Sequence, residues 1–574
     1  MPTTIADHFP AELGLLRETA HAFARDNPAL ATALHERAGD PDLERLLEGV
    51  AFLTAGLRAR LDQAGDHVAH ALADLLLPHA LRPLPAATVV ELRANPRALR
   101  ARHPVPKGRS LQSRPIAGTA CRFRTCFDVD LLPLELAHVR AGETAGDAPT
   151  IELGFSVPEA ARAALAEPIP LRLFLHHADL AQAATLFLWL TRHLTGVTVL
   201  TPNGVAGRLP ARALAPLPPG PHPVFPWPDT APTGHRAVLE LFTIPERFLF
   251  VELAGLHALG LDVPAFTLRL EFERPPPLPA PLSPGAFRLH CTPAINLFEA
   301  PGEPIVRDPL TREVLVRADG IDPRHMEVHD VTAVHAIARG HGRRREFVPF
   351  HAAPPGRPAA RFALRRSRSP LDGALDTFLQ LHDPDGDPPL AGEEVLSLHL
   401  LCTNRDLPHE LQPGDLHEDA PGGLCRGHVD ITPLSPPARL PAGDEALWHL
   451  LSHLAVAHRG PADAAGLRAL LRLYNVHAAR GGPRGRAGER QIDAVRHLRR
   501  EPVTRLVRGA PVRAHRTTVE LDERALGGPG LSCLFGHVLD DLFASLTPLG
   551  GASELRVALS PSRHELAWPV RLGD

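Results

Sequence analysis

Sixty-two prolines spread through 574 residues set the first limit on what this chain can form. Proline cannot donate to a β-ladder and does not continue a helix, so long elements are confined to the few stretches that lack it. Two such stretches lie near the N-terminus, between Pro10 and Pro28 and between Pro41 and Pro78. In the first, Leu13, Leu16, Ala20 and Phe23 recur at helical spacing until Asn27-Pro28 breaks the run. Asp40-Pro41 then opens a stronger helix, with Asp40 suited to the cap and Pro41 to the first turn. Leu43, Leu46, Leu47, Val50, Leu53, Leu57 and Leu61 follow, mostly at steps of three and four, as one apolar stripe. A third helix is expected from Asp66 to Leu77.

From Thr88 the apolar period changes to two. Thr88–Leu92, Arg122–Val129, Ile169–Leu175, Val238–Phe242 and Phe266–Phe272 read as short strands separated by prolines, with one embedded helix from Leu180 to Leu194. Pro216–Pro228 and Pro275–Pro284 read as extended linkers or loop borders. A second β-rich stretch carries strands near Glu313–Arg317, Arg361–Arg366 and Val395–Cys402. The last stretch is mixed. Asp444–His458 and Ala465–Tyr474 read as a helical pair and Arg480–Arg490 as a mobile loop. Thr517–Leu521, Glu554–Leu559 and Glu565–Leu572 read as strands around an amphipathic helix, Leu531–Leu546. The expected architecture is therefore α+β and multidomain. It has a helical N-terminal region (1–80), a β-rich domain with an embedded helix (81–285), a second β-rich domain (286–440) and a C-terminal α+β domain (441–574).

Composition excludes several functions. Acidic residues number 65 against 61 basic ones, and Lys107 is the only lysine, so there is no basic excess for nucleic acid. Six scattered cysteines without a C-x-x-C pair fit reduced, buried thiols. The first ten residues carry no apolar signal core, and Glu252, His257, Asp262 and Pro264 interrupt the most apolar run, Phe248–Phe266. That falls short of the roughly 18–20 apolar residues a membrane span needs. A soluble cytoplasmic protein is expected.

The chemical motifs are fragments. His449 and His453 have the i, i+4 spacing of a zinc pair, but Leu450 stands where a metalloprotease needs its glutamate. His176-His177 with Asp179 lacks a third ligand at a telling spacing. Asp383-Pro384-Asp385-Gly386-Asp387 opens like a calcium loop, yet Pro388 occupies the position that requires glycine. Gly481–Gly488 and Gly340-His341-Gly342 lack the Lys-Ser/Thr of a phosphate loop, and Ser532 lacks a nucleophile elbow. Arg343-Arg344-Arg345 reads as a solvated hairpin tip or a protein-contact patch. Two enzymatic or ligand-binding alternatives stay open at this point. One is a cytoplasmic hydrolase or metalloenzyme with a histidine site assembled in space. The other is a polymer-binding β module, which the 5% aromatic content argues against.

Strings along nearly the whole chain carry a family resemblance. They begin with Asp40-Pro41, Glu44–Gly49, Ala51-Phe52-Leu53 and Leu77-Pro78-His79, with Pro83 and Pro85 after them. Asn296-Leu297-Phe298-Glu299, Glu327-Val328 and Glu346–Phe350 follow, then the most specific, Leu400-Leu401-Cys402-Thr403-Asn404-Arg405-Asp406-Leu407-Pro408. Leu447-Trp448, Leu451–Leu454, Leu470–Tyr474, Leu534-Phe535-Gly536 and Val538-Leu539 complete the series. In order and spacing they resemble the TssF (ImpG, VasA) family of type VI secretion. The chain departs from the family in lacking a Tyr-rich opening and in carrying His79-Ala80 where His-Tyr is usual. The resemblance implies a structural wedge subunit of a contractile baseplate, without catalysis or cofactor. Its implied partners are a TssG-like subunit, a second copy of itself, a TssK-like adaptor, a TssE-like sheath initiator and a VgrG-like spike, on the cytoplasmic side of the inner-membrane complex. A helical arm of about 80 residues is small for burying a long stripe alone. Leu46, Val50, Leu53 and Leu57 are accordingly expected to pack partly against partner helices.

Overall fold

A computed structural model describes residues 5–26, 45–58, 78–142, 149–228, 231–278, 282–307, 313–338, 344–350, 360–369, 374–382, 394–419, 423–439 and 460–573. The chain divides into two compact units: residues 1–81 with 441–452, and the remainder. In the first, helix α1 (Ile5–Asp26) and helix α2 (45–58) are described. The cap at Asp40, the third helix expected at 66–77 and the helix expected at 444–458 lie outside the described residues, as do His449, His453, the calcium-like loop and Gly340–Gly342.

The second unit is built from mostly antiparallel sheets and the helices packed on some of them. Strands Ala87–Ala94, Cys291–Ile295 and Cys425–Asp430 sit side by side in a six-stranded sheet, so segments far apart in sequence share one layer. Ala265–Phe272 is central in a five-stranded sheet, and its strict alternation of half-buried and buried residues is what its sequence period implies. Residues 298–403 leave this layer and close on themselves. Seven strands run in order from Phe298–Pro301 to Glu313–Leu315, and the bridge Gly302↔Ala318 joins the two ends into a barrel. Phe298, Val334, Phe347, Phe362, Leu379, Leu398 and other apolar side chains fill its interior, so it is a packed core and not a pore.

A single apolar cluster links the five-stranded sheet to three helices: α3 (Leu180–Arg192), α4 (Thr233–Thr243) and α7 (Pro529–Ser545). It continues through α5 (Ala464–Tyr474) into the C-terminal sheet. In that sheet Ala510–Asp522 and Ala552–Ser560 are parallel, joined by the crossover that contains α7.

Three expectations are corrected. Val238–Phe242 lies within helix α4, where every residue from Gly234 to Thr243 is buried. A five-residue apolar run does not distinguish a buried helix from a strand, and only the packing decides. Arg480–Arg490 is no mobile loop: helix α6 (Pro483–Asp493) starts there with proline in its first turn. Gly485 lets that helix lie against the chain before it, since a Cβ would sit 2.3 Å from the His477 carbonyl oxygen. Pro216–Pro228 is no free linker, because Leu217, Val224 and Phe225 are core residues.

That proline-rich segment offers carbonyls and few N–H groups, and buried charges on α4 and just beyond it satisfy them. Arg236 donates to the Pro219 and Gly220 carbonyls at 2.9 and 2.7 Å, and Arg247 to that of His222 at 2.8 Å. Glu240 accepts from the Val224 N–H at 2.8 Å and from Arg247 Nε at 2.9 Å, with both side chains fully buried.

Buried titratable groups give the fold a pH dependence. Burial pushes His290 down to about 4 and His329 and His537 down to about 3. Burial pushes Asp430 and Asp540 up to about 6, against backbone N–H groups at the first and Arg571 at the second. In the unfolded chain the histidines bind protons below their usual 6.5, while the carboxyls stay ionised to about 4. Between pH 7 and pH 5 these groups take up about 2.3 protons in the unfolded state and about 1.7 in the native state, and the balance favours unfolding. The melting temperature is expected to fall from pH 7 to pH 5. His329→Gln is expected to make that fall shallower in a thermal-shift series, and an unchanged slope would remove His329 as a cause.

Candidate partner interface

Helix α2 carries its large apolar residues outward. Leu46, Val50, Leu53 and Leu57 are spaced four, three and four apart, which puts them within an arc of about 60° on the helix. They are between 37% and 68% exposed. The opposite side is lined by Ala51 and Ala55, both fully buried. Small residues permit a close inward approach, so the helix rests on alanines and presents its leucines. Phe52 is also exposed, on a different side of the helix from the seam. Arg58 Nη1 reaches Glu12 Oε1 of α1 at 3.1 Å and ties the two helices together at the end of the seam. On α1, Leu15 and Phe23 are exposed as well.

Several of the other family-like strings meet at the root of the barrel, whereas Leu470–Tyr474 and Leu534–Leu539 lie in α5 and α7 and Leu447–Leu454 falls outside the described residues. Asn296, where the chain enters it, and Asn404, where it leaves, are both buried. Asn296 Nδ2 donates to Asn404 Oδ1 at 2.9 Å, and Asn404 N to Asn296 Oδ1 at 2.8 Å. Both also hold the backbone of Arg122 in the six-stranded sheet, at 2.8 Å each. Around this clasp Glu327 meets Arg439 at 2.6 Å, Asp330 meets Arg82 at 2.6 Å, and neutral His329 donates from Nδ1 to the Pro83 carbonyl at 2.9 Å. Arg439, His329 and Arg82 carry no spacing signal that sequence reading could use. Asn404→Ala would leave the Arg122 N–H without its acceptor and one of the two Asn296 Nδ2 hydrogen bonds unmade, the one to the Arg122 carbonyl remaining. It is expected to cost about 2–4 kcal/mol, read as a lower urea midpoint.

The remaining candidates have ordinary structural roles. Asp179 caps α3 by accepting from the Ala181 N–H at 3.0 Å. Ser532 donates to the Gly528 carbonyl at 2.9 Å inside α7. Arg345 pairs with Glu394 and lies over the Phe347 ring, while Arg344 is exposed. The cysteines are free thiols, all buried except half-buried Cys425. Among the described residues no group of three or more His, Cys, Asp or Glu is placed to hold a metal, and no helix is long and apolar enough to cross a membrane.

A family model described as type VI secretion system, TssF, matches residues 1–574. The chain belongs to the TssF family. Type VI secretion system component TssF1 of Pseudomonas aeruginosa strain PAO1 is 30% identical to it over 631 aligned positions, covering 100% of this chain and 99% of that protein. A chain in the cryo-electron-microscopy structure of a TssK-TssF-TssG baseplate subcomplex is similar at TM-score 0.78 and 26% identity, over 92% of this TssF-family chain and 98% of its own length. A chain of the baseplate complex from the type VI secretion system shares the fold at TM-score 0.64 and 24% identity, with 100% of both chains covered.

Proposed function

We propose that this TssF-family chain is a structural, non-catalytic wedge subunit of a type VI secretion baseplate, and that Leu46, Val50, Leu53 and Leu57 are where it binds a partner helix. The open leucine seam on α2 carries this reading. Four large apolar residues at heptad-like spacing stabilise a complex far more than a free chain, because their burial awaits a second helix. The similar chain at TM-score 0.78 comes from a complex with TssK and TssG, which supports TssG- and TssK-like proteins as partners here. The same reading extends to a second copy of the chain, a TssE-like sheath initiator and a VgrG-like spike, with the wedge coupling spike triggering to sheath contraction. It places the protein in the cytoplasm, against the inner-membrane complex. The buried ionic groups at the barrel root and around α4 join segments of the fold, a role that suits transmission of force.

Co-expression with the neighbouring TssG- and TssK-like proteins, followed by size-exclusion chromatography with mass determination, tests this. Co-elution at a defined multi-chain mass is expected. A monomer indifferent to both proteins would contradict the proposal.

A further inference from the structure

One end of the C-terminal sheet gathers exposed leucines and arginines, with Glu554 as the carboxylate that pairs with two of them. Strands Val495–Val507 and Ala510–Asp522 form a long hairpin. Its turn is tight, with Arg508 at φ 50° and Gly509 at φ 83°. Leu506 faces Pro511 across it. Ala514, three residues further on, is level with Ala552, and Ala552 with Leu572. The turn holding Leu549 immediately precedes Ala552. Three leucines from separate segments thus lie at the same sheet end, where Leu506 and Leu549 are 78% and 84% exposed and Leu572 nearly half exposed. Single exposed leucines are ordinary on a protein surface, and this grouping is not.

The charge pattern adds a second observation. Residues 502–516 contain four arginines and no Asp or Glu, in a chain whose net charge is −4. Arg505 and Arg516 are neutralised by Glu554. Arg508 and Arg513 are exposed and have no ion-pair partner among the described residues.

We infer that this sheet end is a second docking surface, separate from the α2 seam, and that it takes an acidic segment of another subunit whose apolar side chains cover Leu506 and Leu549 while its carboxylates meet Arg508 and Arg513. Two unpaired arginines without exposed stacking aromatics are too few to hold a nucleic-acid backbone. A symmetric contact centred on this sheet end would bring two like-charged patches together.

The test uses the full-length chain co-expressed with its TssG- and TssK-like neighbours. The photocrosslinker p-benzoylphenylalanine is placed at position 506 or 549, and cross-linked peptides are identified by mass spectrometry. The expected product joins either position to a segment of another subunit rich in Asp or Glu around apolar residues. R508E/R513E is expected to weaken that subunit's association about tenfold and to reduce its salt dependence. Circular dichroism of this variant should match the parent, since both side chains are exposed. Cross-links to a second copy, to a neutral or basic segment, or to no subunit would overturn the inference, as would salt-independent binding unaffected by the charge reversal. Retention of the complex through α2 in the same variants separates this outcome from failure of the wedge reading.

Discussion

Glu240→Ala is expected to lower the thermal midpoint by about 10 °C and to cut the yield of soluble protein. Glu240 pairs with both Arg236 and Arg247 beneath the segment 216–228, and among the described residues no other carboxylate forms an ion pair with either. Its removal takes from two buried guanidinium groups the carboxylate they pair with, leaving only the more distant Asp541 near Arg247, and leaves the Val224 N–H without an acceptor. Breaking a buried pair at one partner costs about 3–5 kcal/mol, a large part of the 5–15 kcal/mol that keeps a domain folded. At about 2–4 °C per kcal/mol this amounts to the stated shift. Glu240→Gln keeps the acceptor and loses the charge, so it should fall between parent and alanine. A midpoint for Glu240→Ala within 2 °C of the parent, by about the smallest step this scale assigns to 1 kcal/mol, would show that the strap is held by its apolar anchors alone.

The second large effect concerns assembly. Leu53→Asp with Leu57→Asp is expected to leave the thermal midpoint of the isolated chain nearly unchanged, because both side chains already face water. In a complex each leucine contributes about 1.5–3 kcal/mol on burial, and a buried carboxylate adds a desolvation cost. Losing both should weaken binding of a TssG-like partner by about a hundredfold or more, at 1.4 kcal/mol per tenfold. Ala51→Leu serves as the complementary control. It adds bulk on the face that rests inward, so it should disturb the chain itself before it disturbs the partner.

Much of the architecture was readable from residue patterns, and the failures have physical causes. Phe266–Phe272 alternates cleanly because one face is buried and the other half-exposed. Helix α3 was readable from its apolar length and lack of proline. Val238–Phe242 was misread because five residues are too few to show a helical period, which over Thr233–Thr243 is carried by Arg236, Glu240 and Thr243 at steps of four and three. The 480–490 stretch was misread because its glycines suggested flexibility, whereas Gly485 provides close packing. The leucine seam of α2 was visible as a spacing, but sequence could not tell which side it faces; the buried Ala51 and Ala55 decide that. The barrel root was legible only as separate strings. Asn296 and Asn404 are 108 residues apart, and no local pattern announces that their amides meet.

The most direct measurement is hydrogen–deuterium exchange over residues 45–58 in the free chain and in its complex with the TssG-like protein. The account predicts fast exchange through this helix when free and strong protection in the complex, lost with Leu53→Asp and Leu57→Asp. Equal exchange in both states, with the complex intact, would contradict the claim that the α2 seam is where this subunit joins its partner.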